Sequence, residues 1–331
     1  MKLAIVGVTG LVGRKMLEIL EKKDIKVEAL FPVASEKSTG KRILFKNNEY
    51  KVISIQELID KKPEIALFSA GSKVSKEWAP KLAEIGCRVI DNSSYWRMHH
   101  KHKLIVPEIN FNDLNLSSTT VSNSDMIIAN PNCSTIQLVI AISEIHKKFK
   151  IKRMIVSTYQ AVSGSGKKAI NQLHNESKSI STKKVYERQI FNNIIPQCDI
   201  FDEDQYTKEE HKIINETNKI LNSKIRITAT AVRVPIENSH SESVNIELVN
   251  NTTTEELIQV LKQTKGVQYM GRANNYYSTP NEATGSDLVY VGRVRRDFSK
   301  NNCFNLWVVS DNLRKGAATN AIQILEKIIN K

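Results

Sequence analysis

Residues 2–13 read Lys2-Leu3-Ala4-Ile5-Val6-Gly7-Val8-Thr9-Gly10-Leu11-Val12-Gly13, and this stretch decides the architecture of the first half of the chain. Leu3 to Val6 is a short aliphatic run of the length expected for a buried strand. Glycines follow at positions 7, 10 and 13, and a helix-like pattern continues through about Lys22. Strand, glycine turn and helix in that order make a phosphate cradle. Gly7 and Gly10 let the backbone approach an anion, the helix N-terminus faces it, and Gly13 permits close helix packing. Gly7, Thr9, Gly10, Leu11, Val12 and Gly13 are therefore candidates to bind a cofactor. The spacing is G-x-x-G-x-x-G, not the G-x-G-x-x-G of the NAD fingerprint, so the motif alone points to a dinucleotide without fixing it.

Working outward, Val27 to Phe31 completes a first β-α-β unit. Ile65 to Ser69 and Arg88 to Ile90 read as further buried strands, with a helix near Ser75 to Ile85 between them. The runs Leu104 to Pro107, Thr119 to Ser122 and Met126 to Ala129 continue the alternation, which is the cadence of a doubly wound α/β domain. From Ile151 the character changes. Ile151 to Tyr159, Arg226 to Val234, Ser243 to Leu248 and Cys303 to Val309 are strand-like, separated by polar helical stretches at Lys167 to Ser177 and Glu209 to Leu221. Mixed strands with long connections predict an α+β catalytic domain. The last helix, Ala317 to Ile329, carries Ala321, Ile324, Leu325 and Ile328 on one stripe. There is no internal repeat.

At 331 residues with 40% apolar content, the chain is long for one core and can supply two. No run approaches the roughly 18 apolar residues of a membrane span, and the start lacks the features of a secretory signal, so a cytoplasmic protein is expected. Lys plus Arg number 48 against 35 Asp plus Glu, a formal charge of +13. The lysines are scattered through helical segments among Glu and Asn, with no aromatic-rich basic stripe, which argues for a solvated surface and against nucleic acid. The four cysteines, Cys87, Cys133, Cys198 and Cys303, form no CxxC pair. Neither zinc nor a disulfide framework is indicated, and a reducing compartment fits.

The loop after the second strand reads Ala34-Ser35-Glu36-Lys37-Ser38-Thr39-Gly40. Its hydroxyls and Lys37 suit an adenosine 2′-phosphate, which favours NADP; Glu36 could instead serve the ribose diol of NAD. The chemistry is expected at Asn130-Pro131-Asn132-Cys133-Ser134-Thr135, where an apolar strand runs into a helix over Ile136 to Phe149. Cys133 falls at that turn, near unpaired backbone N–H groups that favour a thiolate and could support an oxyanion. Polar neighbours distinguish it from Cys87 and Cys198, which read as core, and from Cys303 at a strand start. A reacting thiol requires a proton acceptor. The best histidine is His240, closing a polar loop between two strands. His99, His100 and His102 crowd a lysine-rich loop with too few apolar neighbours for a buried base, and no acid or cysteine set makes them a metal site. His146 and His174 lie in helix-like stretches.

Seven motifs in one order carry a resemblance over the whole chain. They are the glycine turn, Asn92-Ser93-Ser94-Tyr95-Trp96-Arg97-Met98, Val106-Pro107-Glu108-Ile109-Asn110, Asn130 to Thr135, Gln160-Ala161-Val162-Ser163-Gly164-Ser165-Gly166, Arg233-Val234-Pro235 with His240, and Asn312-Leu313-Arg314-Lys315-Gly316-Ala317-Ala318. In these the chain resembles the aspartate-semialdehyde dehydrogenases. The resemblance implies a Rossmann-type NADP-binding domain of residues 1–128 completed by a C-terminal helix at 315–331, around a catalytic and dimerisation domain of residues 129–314. The implied reaction is NADPH-dependent reduction of 4-phospho-L-aspartate to L-aspartate 4-semialdehyde and phosphate, in the biosynthesis of diaminopimelate, lysine, threonine and methionine. It implies a homodimer, with a tetramer possible.

Roles follow residue by residue. Cys133 would be the nucleophile, His240 the general acid/base and Gln160 the group orienting the substrate. Arg233 would bind the substrate carboxylate, to which a guanidinium fork is suited. Glu209 would take the ammonium, and Arg97 with Lys212 the phosphate. Glu209 and Lys212 are three apart in a helical run and so share a face; from the residues alone they read as a surface ion pair. The resemblance also places Ser35, Ser38 and Lys37 at the adenosine phosphate, and Ser163, Gly164 and Asn312 at the nicotinamide side. Many members have Arg where this chain has Lys37, which keeps the charge but loses the planar fork, so a softer NADP preference is expected. The nearest rival, N-acetyl-glutamyl-phosphate reductase, has no need of an ammonium-binding acid such as Glu209.

Overall fold

The computed structural model describes residues 1–115, 125–181 and 183–330. The chain divides into two units, Met1–Pro131 with Ala317–Lys331, and Asn132–Gly316. Among the described residues no helix is long and apolar enough to cross a membrane.

The first unit starts with β1 (Lys2–Val6), α1 (Leu11–Glu21) and β2 (Ala29–Val33), followed by a small hairpin of β3 (Arg42–Phe45) and β4 (Asn48–Lys51). Then come α2 (Ile55–Lys61), β5 (Ile65–Phe68), α3 (Ser72–Glu84), β6 (Arg88–Asp91) and β7 (Ile127–Ala129). Five of the strands form a parallel sheet in the order β2-β1-β5-β6-β7. The chain runs outward from β1 to β2, then crosses back to β5 on the other side of β1. That reversal is a topological switch point, and the crevice at the carboxyl end of β1 is where an open α/β sheet takes its ligand.

Two expectations shift here. The second strand starts at Ala29, not Val27, because its register against β1 begins with Lys2 opposite Ala29. Leu104 to Pro107 is not a strand: Leu104 makes an isolated bridge to Ala129, and the Val106 N–H turns to Asn110 Oδ1 at 2.9 Å. Pro107 has no N–H to continue a ladder. The expected strand at Thr119 to Ser122 lies outside the described residues.

The second unit begins with α4 (Cys133–Phe149), β8 (Ile151–Gln160), α5 (Lys167–Ser177), α6 (Lys208–Ile220), β9 (Arg226–Arg233) and β10 (His240–Leu248). It ends with α7 (Thr254–Gln263), β11 (Val267–Met270), α8 (Pro280–Ala283), β12 (Val289–Arg296) and β13 (Cys303–Ser310). The sheet order is β11-β12-β13-β10-β8-β9. β8 and β9 run parallel and end together, with Gln160 opposite Arg233, while antiparallel β10 starts at that same end with His240. Helices α4, α6 and α7 pack against the sheet and each other. Alternation along β8, buried at Ile151, Met154, Val156, Thr158 and Gln160, aims its even positions at those helices.

A π-type turn, Arg314–Ala318, returns the chain to the first unit, where α9 (Thr319–Ile329) closes it. Ala321, Ile322, Ile324 and Leu325 of α9 join Leu3, Ile5, Met16, Leu20 and Ile128 in one apolar core. Each leucine, isoleucine or methionine among them contributes on the order of 1.5–3 kcal/mol when removed from water, so the last helix is part of the unit that the first strand begins.

Candidate active site

Helix α4 starts at Cys133 itself, three residues before the expected Ile136, because Asn132 is its cap. Asn132 Oδ1 accepts the N–H groups of Ser134 at 2.9 Å and Thr135 at 3.2 Å, the usual role of an Asn at this position. The cap is itself anchored. Its N–H donates to Glu216 Oε2 at 2.7 Å and its Nδ2 to Glu209 Oε1 at 2.9 Å. Both carboxylates come from α6, so two helices fix the backbone immediately before the thiol. Cys133 is part-exposed, whereas Cys87, Cys198 and Cys303 are buried. Burial pushes the thiols of Cys87 and Cys198 up to about 12, which leaves them inert at neutral pH. On the other flank, a Cβ on Gly316 would sit 2.9 Å from Cys133 Cβ. The bare glycine keeps that side of the cysteine open.

The strand ends bring the remaining groups together within the same unit. Gln160, the last residue of β8, donates from Nε2 to Ser134 Oγ at 2.7 Å and to Glu209 Oε1 at 3.1 Å. Arg233, the last residue of β9, is 5% exposed and donates from Nη1 to the Ala161 carbonyl at 2.7 Å. His240, the first residue of β10, is fully buried; its Nδ1 accepts the Ala161 N–H at 3.0 Å and its Nε2 has no hydrogen-bond partner among the described residues. With Nδ1 used as an acceptor, the neutral ring carries its proton on Nε2. Burial, reinforced by Arg233, lowers its pKa to about 3, so the ring is neutral at pH 7. Gly164 makes this crowding possible: a Cβ there would lie 3.0 Å from Arg233 Nη1 and 3.4 Å from His240 Nε2.

Glu209 and Lys212 are not the surface pair that their residues alone suggest. Glu209 is buried, and its Oε2 lies 3.1 Å from Lys212 Nζ, which also holds Asp199 Oδ2 at 2.7 Å. Burial alone would raise the Glu209 carboxyl, but Lys212 and the donors Asn132 and Gln160 outweigh it and bring the pKa to about 2. The second unit thus holds Cys133, Gln160, Glu209, Lys212, Arg233 and His240 in one linked set.

Ser163 and Asn312 brace this set from behind. Asn312 Nδ2 donates to Ser163 Oγ at 2.9 Å and its Oδ1 accepts the Ser239 N–H at 2.8 Å, which fixes the residue before His240.

In the first unit the glycine turn has the form that a dinucleotide phosphate requires. Gly7 has φ +91°, and a Cβ there would lie 2.2 Å from the Ser69 carbonyl oxygen; one on Gly13 would lie 2.3 Å from Gly7 O. Neither position admits another residue. Gly10 caps α1 without any side-chain acceptor, which leaves the first helical N–H groups to an anion. Thr9, Leu11 and Val12 are half-buried between these glycines, and Ser35, Lys37 and Ser38 lie on an accessible turn beyond β2. Arg97 is buried in the same unit, donating from Nε to Asn130 O at 3.0 Å and from Nη2 to Asn92 O at 2.9 Å. His102 differs from expectation: it is buried against Trp96, with ring centroids 4.8 Å apart. Among the described residues no group of three His, Cys, Asp or Glu side chains could hold a metal ion.

Sequence reading missed Asn132, Glu216 and Asp199. An Asn before a polar-to-apolar helix start is a readable cap signal, and Glu216 lies seven residues after Glu209 on the same helix face. Asp199 sits in an irregular segment and offers no such signal.

A model of the semialdehyde dehydrogenase NAD binding domain matches residues 2–117, and one of the semialdehyde dehydrogenase dimerisation domain matches residues 142–315. The aspartate-semialdehyde dehydrogenase of Aquifex aeolicus is 47% identical, an alignment covering 100% of this chain and 98% of that protein. The chain belongs to the aspartate-semialdehyde dehydrogenase family. The aspartate-semialdehyde dehydrogenase of Bacillus subtilis is 42% identical over 98% of this chain and 96% of its own length. The crystal structure of aspartate semialdehyde dehydrogenase II from Vibrio cholerae complexed with ASA is 41% identical, with a TM-score of 0.93 over 99% of this chain and 98% of that one. The Rossmann-like NAD(P)-binding domain and the dimerisation domain of the family are the two units described above, and the reaction type is that of an aspartate-semialdehyde dehydrogenase.

Proposed function

We propose that the chain reduces 4-phospho-L-aspartate to L-aspartate 4-semialdehyde and phosphate, reversibly and with NADPH, through a thioester on Cys133. The observation that carries this reading is the linked set around the first turn of α4. It combines one accessible thiol with a buried guanidinium, a carboxylate held ionised and a lysine. An amino acid bearing an acyl phosphate presents the complementary groups: a carboxylate for Arg233, an ammonium for Glu209 and a phosphate for Lys212 and Arg97.

The helix N-terminus favours Cys133 as thiolate, and the thiolate adds to the acyl carbon. Carbon–sulfur bond formation and phosphate departure leave an acyl thioester. His240 holds its proton at Nε2 and gives it as a hydrogen bond to the oxyanion that develops; Gln160, clamped between Ser134 and Glu209, orients the acyl group. A dinucleotide held by the glycine cradle would supply hydride, and hydride addition to the thioester carbon gives a thiohemiacetal. Collapse of that adduct breaks the carbon–sulfur bond, releases the aldehyde and restores the thiolate. Gly7, Thr9, Gly10, Leu11, Val12 and Gly13 would hold the pyrophosphate, and Ser35, Lys37 and Ser38 an adenosine 2′-phosphate. Ser163, Gly164 and Asn312 would serve the nicotinamide side.

We further propose a homodimer. The face of the six-stranded sheet opposite its helices exposes Ile155 and Tyr159, 37% and 36% accessible, and Tyr159 packs on Trp307 with centroids 5.7 Å apart. A sheet face that exposes such side chains is suited to a second copy.

The test is oxidation of L-aspartate 4-semialdehyde, followed by dinucleotide reduction, with and without phosphate and with NADP against NAD. Turnover is expected to require phosphate and to favour NADP. Absence of turnover with either dinucleotide contradicts the assignment, and equal rates with both contradict the cofactor choice.

A further inference from the structure

Within the second unit, a side-chain tether holds one aromatic ring beside Arg233. Among the described residues between α5 and α6 there is no regular element beyond isolated bridges, yet residues 185–191 are fixed. Gln172 Oε1 accepts the N–H groups of Val185 at 2.6 Å and Tyr186 at 3.0 Å. One turn further along α5, Glu176 Oε2 accepts those of Ile190 at 2.8 Å and Phe191 at 2.9 Å. Gln172 Nε2 closes the arrangement on Glu176 Oε1 at 2.7 Å. Although burial would raise the Glu176 carboxyl, the donors Phe191, Gln172 and Ile190 hold it below the usual range. Two side chains on one helix face therefore satisfy four backbone donors of an irregular segment.

What that segment carries inward is Tyr186. The Arg233 guanidinium carbon lies 5.9 Å from its ring centroid, and its buried hydroxyl lies near Ser165 outside hydrogen-bonding geometry. Arg233 is otherwise fixed at Nη1 by the Ala161 carbonyl, while its Nε is buried with no hydrogen-bond partner among the described residues. A single hydrogen bond leaves the guanidinium plane free to turn about it, and bidentate capture of a carboxylate depends on that plane. An aromatic neighbour restricts it, since a cation over a ring face is attracted by the ring quadrupole.

We propose that Tyr186 is a positioning residue for Arg233, held by the Gln172–Glu176 tether, and that it sets the affinity for the carboxylate of the substrate. The proposal rests on the function argued above. The ring acts, not the hydroxyl, so the conservative change and the drastic one separate.

The experiment is steady-state oxidation of L-aspartate 4-semialdehyde by the full chain with phosphate and NADP, together with thermal unfolding. Tyr186→Leu is expected to raise KM for the semialdehyde about 10-fold, with kcat and the KM values for phosphate and NADP within about 2-fold. Tyr186→Phe is expected to restore the semialdehyde KM. Glu176→Ala releases the segment without touching Arg233 and should give the same selective rise, and Tyr186→Leu combined with Glu176→Ala should be no worse than Tyr186→Leu alone. An unchanged semialdehyde KM in Tyr186→Leu, a Tyr186→Phe as impaired as the leucine variant, or all three KM values moving with a fall in melting temperature would overturn it. A chain without substitutions that shows no phosphate-dependent turnover removes the underlying reading, and this proposal with it; a working chain with an indifferent Tyr186→Leu removes this proposal only.

Discussion

The glycine turn of the first unit and the polar cluster of the second are built by opposite means. The turn works by what is missing: side chains at positions 7 and 13 would strike backbone oxygen at 2.2 and 2.3 Å. The cluster works by what is present, with Asn132, Gln160, Glu209 and Lys212 tied in a single run of hydrogen bonds and ion pairs. The first is local and contiguous. The second gathers residues from α4, α6 and three strand ends, and exists only when the six-stranded sheet has set its order. A backbone device tolerates no added atom, whereas a side-chain device tolerates volume and fails on charge.

The two kinds of construction should break differently. Glu209→Ala removes the carboxylate that pairs with Lys212 and accepts from Asn132 and Gln160. Truncating one member of a buried charged set costs about 2–5 kcal/mol, so kcat/KM for the semialdehyde should fall on the order of 100-fold or more while dinucleotide affinity holds. A matched loss of dinucleotide affinity would show that the cluster is not a separate device. Gly13→Ala should act the other way, destabilising the first unit by about 1–3 kcal/mol through overpacking and weakening dinucleotide binding in a titration. An unaltered melting temperature would mean that the turn has room after all.

A third difference lies in pH. His240 has a folded pKa of about 3 against an ordinary value of 6.5, so the unfolded chain binds the proton more readily between those limits. Its contribution to stability is complete above about pH 6.5 and is lost as the pH falls toward 3. Denaturant melts across that window should show His240→Asn to be less acid-sensitive than the unsubstituted chain, and parallel curves would contradict the buried neutral ring. The smallest effect is expected at the exposed edge of the cradle. Lys37→Ala should lower the NADP-over-NAD preference about 10-fold, and an unchanged ratio would assign the 2′-phosphate elsewhere.

The contrast also explains what the sequence could show. The strand, turn and helix at residues 2–21 are legible because each signal is adjacent to the next, and the α9 stripe is legible because Ala321, Ile324, Leu325 and Ile328 repeat at helical spacing. Less of the second unit is. β12 ends in Arg293, Arg295 and Arg296, which hide a strand behind charge, and α7 carries one local signal, the capping box of Thr253 and Glu256. Cys133 and His240 stand out as residue types in polar surroundings, whereas Gln160 and Arg233 have their roles only from the resemblance. That Glu209 is buried and not on the surface, and that His102 is packed on Trp96, are facts of tertiary pairing, which no local pattern encodes.

The central claim is the covalent one. Mixing the protein with L-aspartate 4-semialdehyde and NADP in the absence of phosphate, quenching with acid and mapping the peptides by mass tests it most directly. An aspartyl adduct confined to the peptide bearing Cys133, absent from Cys133→Ser and discharged when phosphate is added before the quench, is the expected result. A Cys133→Ser protein that still turns over, or full turnover with no adduct on Cys133, would contradict it.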